Sequence, residues 1–160
     1  MKHCQLVESG YKWLTAFGCA FVFKELVTSA KETPDVIGFK GGNTILIECK
    51  TSRSDFKADE KKFFRKLPAE GMGRYRFYLC PEGVIKIEDL PKNWGLIYVK
   101  KEKAYIVHNP YCASIKGNIW KGGFYKRNKD GEYGMMYSAL RRLRIRKRIK
   151  EIYLVKGYQK

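Results

Sequence analysis

The stretch 33–56, TPDVIGFKGGNTILIECKTSRSDF, constrains the fold more than any other part of the chain. Two short apolar runs are joined by Lys40-Gly41-Gly42-Asn43, a turn whose glycines take positive φ without steric cost. The second run, 44–50, is apolar almost throughout until Glu48 and Lys50, the pattern of a central strand covered on both faces. Side chains alternate along a strand. Glu48 and Lys50 therefore share one face with Thr44 and Leu46, and Ile45, Ile47 and Cys49 take the other. If the two runs pair as a hairpin, Asp35 lies beside the end of the second strand, and three charged groups converge at one edge of a sheet.

The flanking segments supply the remaining elements. Leu6, Trp13, Leu14 and Phe17 recur at helical spacing before Gly18, which predicts a helix over 3–17. CAFVFKELV reads as a strand ending near Glu25 or Leu26. After Lys50, Ser54 or Asp55 can cap a helix carrying Phe56, Phe63 and Leu67 at i, i+7 and i+11, ending at Pro68. Strands follow at 75–80, 96–99 and 104–107, the last two joined across Lys101-Glu102-Lys103. Helix, three strands, helix and further strands define an α/β fold with a central mixed β-sheet flanked by helices. Beyond Asn109-Pro110 the composition shifts to glycine, aromatic and basic residues. This divides the chain into a core, 1–108, and a basic C-terminal extension, 109–160, with a helix over 135–155 that changes its apolar stripe and breaks near 144.

The charged trio suits phosphodiester hydrolysis. Magnesium takes hard oxygen ligands in an octahedral shell, and Asp35, Glu48 and the backbone carbonyl of Cys49 can supply them; Mn2+ is a workable substitute. Lys50 would stand near the scissile phosphate as a compact cation, or deprotonate the attacking water if its pKa fell. A Glu and a Lys two apart on a strand also form solvated pairs, and Asp after Pro is common in turns. The net charge of +17, from 33 Lys and Arg against 16 Asp and Glu, favours the first reading by supplying a polyanionic partner. Candidate phosphate contacts are Arg53, Lys121, Lys126 and Arg127, and the cluster Arg141, Arg142, Arg144, Arg146 and Arg148. WKGGFYKR, 120–127, can stack bases or pack a small hairpin.

Pro34-Asp35 and Glu48-Cys49-Lys50 resemble the signature of the PD-(D/E)XK nuclease superfamily. IECKTSRSDFKADEK, 47–61, is most similar to the MmcB-like DNA repair group and small phage nucleases. The likeness covers about 5–100. It implies a restriction-endonuclease-like core and Mg2+-dependent cleavage of nucleic acid, DNA rather than RNA, in repair, recombination or phage DNA processing. It also implies a further acidic residue, for which Glu25 in FKEL is preferred over Glu8 on the first helix. Related resolvases and restriction enzymes are often dimers, so a homodimer is open. A catalytically silent nucleic-acid-binding protein on the same fold is the alternative. Asp55 and Asp59 are expected to cap or to face solvent, Asp59 pairing with Lys62.

Other classes find no support. No run of about 18 apolar residues suggests a membrane span. The five cysteines form no C-x-x-C pair, and His3 has no further ligand at metal-site spacing, so neither a zinc site nor a disulfide framework is expected and a cytoplasmic setting fits.

Overall fold

The computed structural model describes residues 1–112 and 120–154. Six strands form one mixed sheet in chain order: β1 (Phe21–Lys24), β2 (Val36–Lys40), β3 (Asn43–Cys49), β4 (Tyr75–Pro81), β5 (Trp94–Lys100) and β6 (Lys103–His108). The first three pair antiparallel, β3, β4 and β5 run parallel, and β6 returns antiparallel. The β5–β6 turn holds Lys101 and Glu102 at φ 47° and 63°, the double positive φ of a tight hairpin turn.

Helix α1 (His3–Ala16) covers one face. Its Leu6, Val7 and Leu14 pack with Ile45, Ile47 and Cys49 of β3 and Phe77 and Leu79 of β4. The opposite face buries Ile37, Leu46, Tyr78 and Leu96 against Phe56 of α2 (Arg53–Asp59) and Met135 of α4 (Lys129–Ile145). β3 is thus the doubly covered strand that its apolar run predicts. Gly95 of β5 faces Phe77 across the ladder, and a Cβ there would stand 2.2 Å from that ring and 3.0 Å from the His108 carbonyl. Gly95→Ala is therefore expected to cost about 1–3 kcal/mol in urea unfolding; an unchanged midpoint would contradict this packing.

Two expected elements differ. The helix predicted through Leu67 is broken into α2 and a short α3 (Phe63–Lys66), followed by a 3-10 turn over Pro68–Glu70. Lys62, between the helices, is extended at φ −63°, ψ 140°. Phe56 is buried while Phe63 and Leu67 are exposed, so the apolar spacing does not mark one continuous face. What the break achieves is polar: Asp59 and Arg65 both turn inward. Ser52, rather than Ser54 or Asp55, is the N-cap of α2, its hydroxyl accepting from the Asp55 N–H.

α4 starts six residues before the expected helix, where the Asn128 side chain accepts from the Gly131 N–H at 2.7 Å. It ends at Ile145, and Lys147 sits at φ 57°, which matches the expected break. A 3-10 turn spans Ile149–Tyr153; the predicted helix end at Val155 lies outside the described residues. Residues past 109 join both core clusters: Tyr111 and Trp120 pack under α1, and Phe124 and Met135 on the other face. Buried Glu132 fixes α4 by accepting from the Thr44 hydroxyl, the Gly73 N–H and Arg127 Nε at 2.7, 2.9 and 2.9 Å.

Candidate functional site

The β2–β3 register pairs Val36 with Ile47. Asp35, one residue earlier, therefore lies beside the end of β3, where its Oδ2 accepts the Cys49 N–H at 2.7 Å. The strand alternation places Glu48 and Lys50 together, with Lys50 Nζ 3.3 Å from Glu48 Oε2. Asp35, Glu48 and Lys50 thus meet at one sheet edge, as the sequence pattern expects. Glu48 and Lys50 are nearly sealed, at 2% and 3% exposure, while Asp35 keeps a partly open side.

Asp59 belongs to this site, contrary to the expected surface or capping role. Its carboxylate takes Lys50 Nζ at 3.1 Å, Arg65 Nε at 2.7 Å, the Tyr78 hydroxyl at 2.9 Å and Lys62 Nζ at 2.7 Å. The expected Lys62 pair is present, but Asp59 is 1% exposed because the α2–α3 break swings it inward. Arg65 continues the network to Glu32, 2.7 Å away, and places Nη2 3.0 Å from Glu48 Oε1, outside hydrogen-bond alignment. Glu32 also accepts the Met72 N–H at 2.5 Å. The guanidinium lies 4.8 Å from the Trp94 ring centroid.

These contacts set the protonation states. Burial alone would raise the Asp59 carboxyl, but Arg65 and Lys50 outweigh it and hold the group well below the usual range. Burial pulls Lys50 down, yet Glu48, Asp59 and Asp35 lift it above its ordinary value and favour its charged form. Asp35 moves the other way: burial first, then the charge of Glu48, push it up to about 6.

The mouth of the site is formed by Glu25 and His3. Glu25 follows β1 at φ 46°, its N–H bonded to the Asp35 carbonyl at 3.0 Å. His3 Nε2 approaches Glu25 Oε1 to 3.3 Å and Asp35 Oδ1 to 3.5 Å. One ligating atom from each of the three residues lies within 4.8 Å of the others. Glu8 is turned away, paired with Lys24 at 2.8 Å. His3 and Glu32 escape the sequence reading because only the docking of α1 and the path of the β1–β2 connection bring them in. Arg65 carries no signal except its place among basic residues after the E-x-K segment.

The candidate phosphate contacts divide. Arg53 makes a two-pronged ion pair with Asp89, at 2.5 and 2.6 Å, and Arg127 is committed to Glu132. Arg148 pairs with Glu151 at 2.7 Å. Lys121, Lys126, Arg141, Arg144 and Arg146 are exposed. Arg142, also exposed, donates to the Val27 carbonyl at 2.9 Å, tying α4 to the connection that carries Glu25 and Asp35. Trp120 packs among Phe17, Tyr75 and Phe77, so this part of WKGGFYKR serves packing.

No family model matches the chain, and no curated protein matches it. Among solved structures it is similar to SPO1766, a protein of unknown function from Silicibacter pomeroyi, with a TM-score of 0.61 and 24% identity over 99% of each chain. That likeness shows a shared fold. No helix among the described residues is long and apolar enough to cross a membrane.

Proposed function

We propose that this chain is a metal-dependent nuclease of the PD-(D/E)XK type, with a restriction-endonuclease-like core, acting on cytoplasmic DNA. The observation that carries the reading is the meeting of Asp35, Glu48 and Lys50 at one sheet edge, with Glu25 at its mouth. A divalent cation fits this donor set. Asp35, held near 6 by burial and by Glu48, belongs to a carboxylate pair whose repulsion a cation relieves. Asp35, Glu48 and Glu25 would hold the ion, with the Cys49 carbonyl available. The ion would lower the pKa of a water and neutralise charge on the phosphate. Lys50, kept cationic and aimed by Asp59, would face the phosphate. Asp59 is itself fixed by Tyr78 and Arg65. The positive surface would draw the polyanion in.

One observation favours the alternative of a silent binding protein: Glu48 is 2% exposed and already faces Lys50 and Arg65. Plasmid, branched and single-stranded DNA incubated with Mg2+ or Mn2+ against EDTA separates the two. The nuclease reading expects metal-dependent products that disappear in Lys50→Ala. Binding without products on any substrate, or cleavage that persists in Lys50→Ala, overturns it.

A further inference from the structure

The outer face of α4 carries a feature that the proposed site does not use. Lys129, Tyr133, Tyr137, Leu140, Arg141 and Arg144 recur at the i, i+4, i+7 or i+8 spacing of one helix side. The side spans about 22 Å from Lys129 to Arg144. Tyr133 and Tyr137 are 72% and 58% exposed, and Leu140 is 45% exposed. Among the described residues, neither tyrosine has a hydrogen-bond or ring partner. Two shallow grooves are lined by residues of this face. One, about 320 Å³, runs between Tyr133 and the β2–β3 turn; the other, about 190 Å³, is bounded by Tyr137, Arg141 and Arg144. Of the acidic residues of the helix, Asp130 lines a separate groove with Thr28 and Gly134, and Glu132, which lines the larger groove, is buried and neutralised by its ion pair with Arg127.

We infer that this face binds a single strand of nucleic acid, its bases stacking on Tyr133 and Tyr137 and its phosphates meeting Arg141 and Arg144. A basic face alone would suit any polyanion. Open aromatic rings one helical turn apart, flanked by cations, suit unpaired bases, since every base has a ring face to offer and a duplex keeps its faces stacked inside. The aromatic segment that the sequence points to, 120–127, cannot supply such a platform through Trp120, whose ring is enclosed by Phe17, Tyr75 and Phe77. The inference rests on the reading of the chain as acting on nucleic acid and names the form it takes, but it does not depend on cleavage.

Fluorescence anisotropy of the full chain in EDTA tests it, with a labelled oligothymidylate and a labelled duplex of equal length. The Tyr133→Ala/Tyr137→Ala pair is expected to weaken the single strand about tenfold or more, from the loss of two stacked bases, and to leave the duplex unchanged. Tyr133→Phe/Tyr137→Phe keeps the rings and should keep the affinity. Arg141→Ala/Arg144→Ala should reduce the log–log salt slope for the single strand by about 1.4. Equal weakening of both nucleic acids, no weakening by the alanine pair, or loss of affinity in the phenylalanine pair overturns the inference. So does ring-dependent binding to phosphatidylserine vesicles that exceeds binding to the oligonucleotide. Ring-dependent binding without metal-dependent products would sink the nuclease reading alone; products with ring-independent binding would sink this one alone.

Discussion

Arg65→Ala is expected to destabilise the chain by about 3–5 kcal/mol at neutral pH, the usual cost of removing one partner from a buried ionic network. Arg65 lies 2.7 Å from both Glu32 and Asp59 and 3.0 Å from Glu48, and its side chain is 3% exposed. Without it, nearly sealed Glu48 and Asp59 keep Lys50 and Lys62 as cations, and Glu32 keeps the charge of buried Arg76 but no ion pair among the described residues. Burial already raises Glu32 against the pull of Arg65, and its loss would raise this carboxyl further. A folded-state pKa raised above the unfolded value gives stability at low pH that is lost as pH rises. The deficit of the variant should therefore grow from acidic to neutral conditions, which urea unfolding over a pH series reads directly. Arg65→Lys should fall between, since an ammonium keeps the charge but cannot reach Glu32 and Asp59 with a planar fork while lying over Trp94. A variant within about 0.5 kcal/mol of wild type at neutral pH, the ordinary surface range, would refute the network as described.

The same residues show where the chain was legible. Asp35, Glu48 and Lys50 came from local rules: a two-residue alternation and a short glycine hairpin leave few ways to arrange them. The covered strand β3 was legible because apolar side chains on both of its faces must be buried. Asp59 and Arg65 were not. Their roles depend on a break after α2 that no glycine or proline announces, and the spacing of Phe56, Phe63 and Leu67 argues for one helix instead. The inward turn of two charged side chains outweighs that apolar stripe: Glu48 buried at the end of β3 requires cations around it, which Lys50 and Arg65 supply, and Asp59 pairs with both of them. His3 joins Glu25 and Asp35 only through the docking of α1, which sequence spacing does not encode. The C-terminal segment was legible as basic and broken near 144, but not as part of the core. Its anchors are Trp120, Glu132 and Met135, each held by contacts distant in sequence.

Asp35→Asn should separate stability from activity. Wild-type Asp35 rises from 3.8 to about 6 on folding, by burial and then by the charge of Glu48, against the opposing pull of the Cys49 N–H, Lys50 and His3. Its raised folded value gives stability that is present below 3.8 and lost as pH climbs through 6. At neutral pH in EDTA, the ionised group therefore burdens the fold by about 2–3 kcal/mol, since each tenfold change in proton affinity between the unfolded and folded chain corresponds to about 1.4 kcal/mol. Asparagine has no charge to desolvate and can still accept the Cys49 N–H. The variant is expected to be more stable than wild type by about 2 kcal/mol at neutral pH, with the gain fading toward about pH 4. On the nuclease reading it should also lose metal-dependent products, and Mn2+ should no longer raise its unfolding temperature. A saturating cation that binds only the folded wild type adds about 2.7 kcal/mol at roughly a hundredfold excess over its Kd. If Asp35→Asn is less stable than wild type at neutral pH, the burial and Glu48 repulsion assigned to Asp35 are wrong. If it is more stable and still cleaves, Asp35 is strained for some purpose other than holding the cation. Gain in stability with loss of products and of the Mn2+ response is the outcome expected of a carboxylate kept at an energetic cost because the ion needs it.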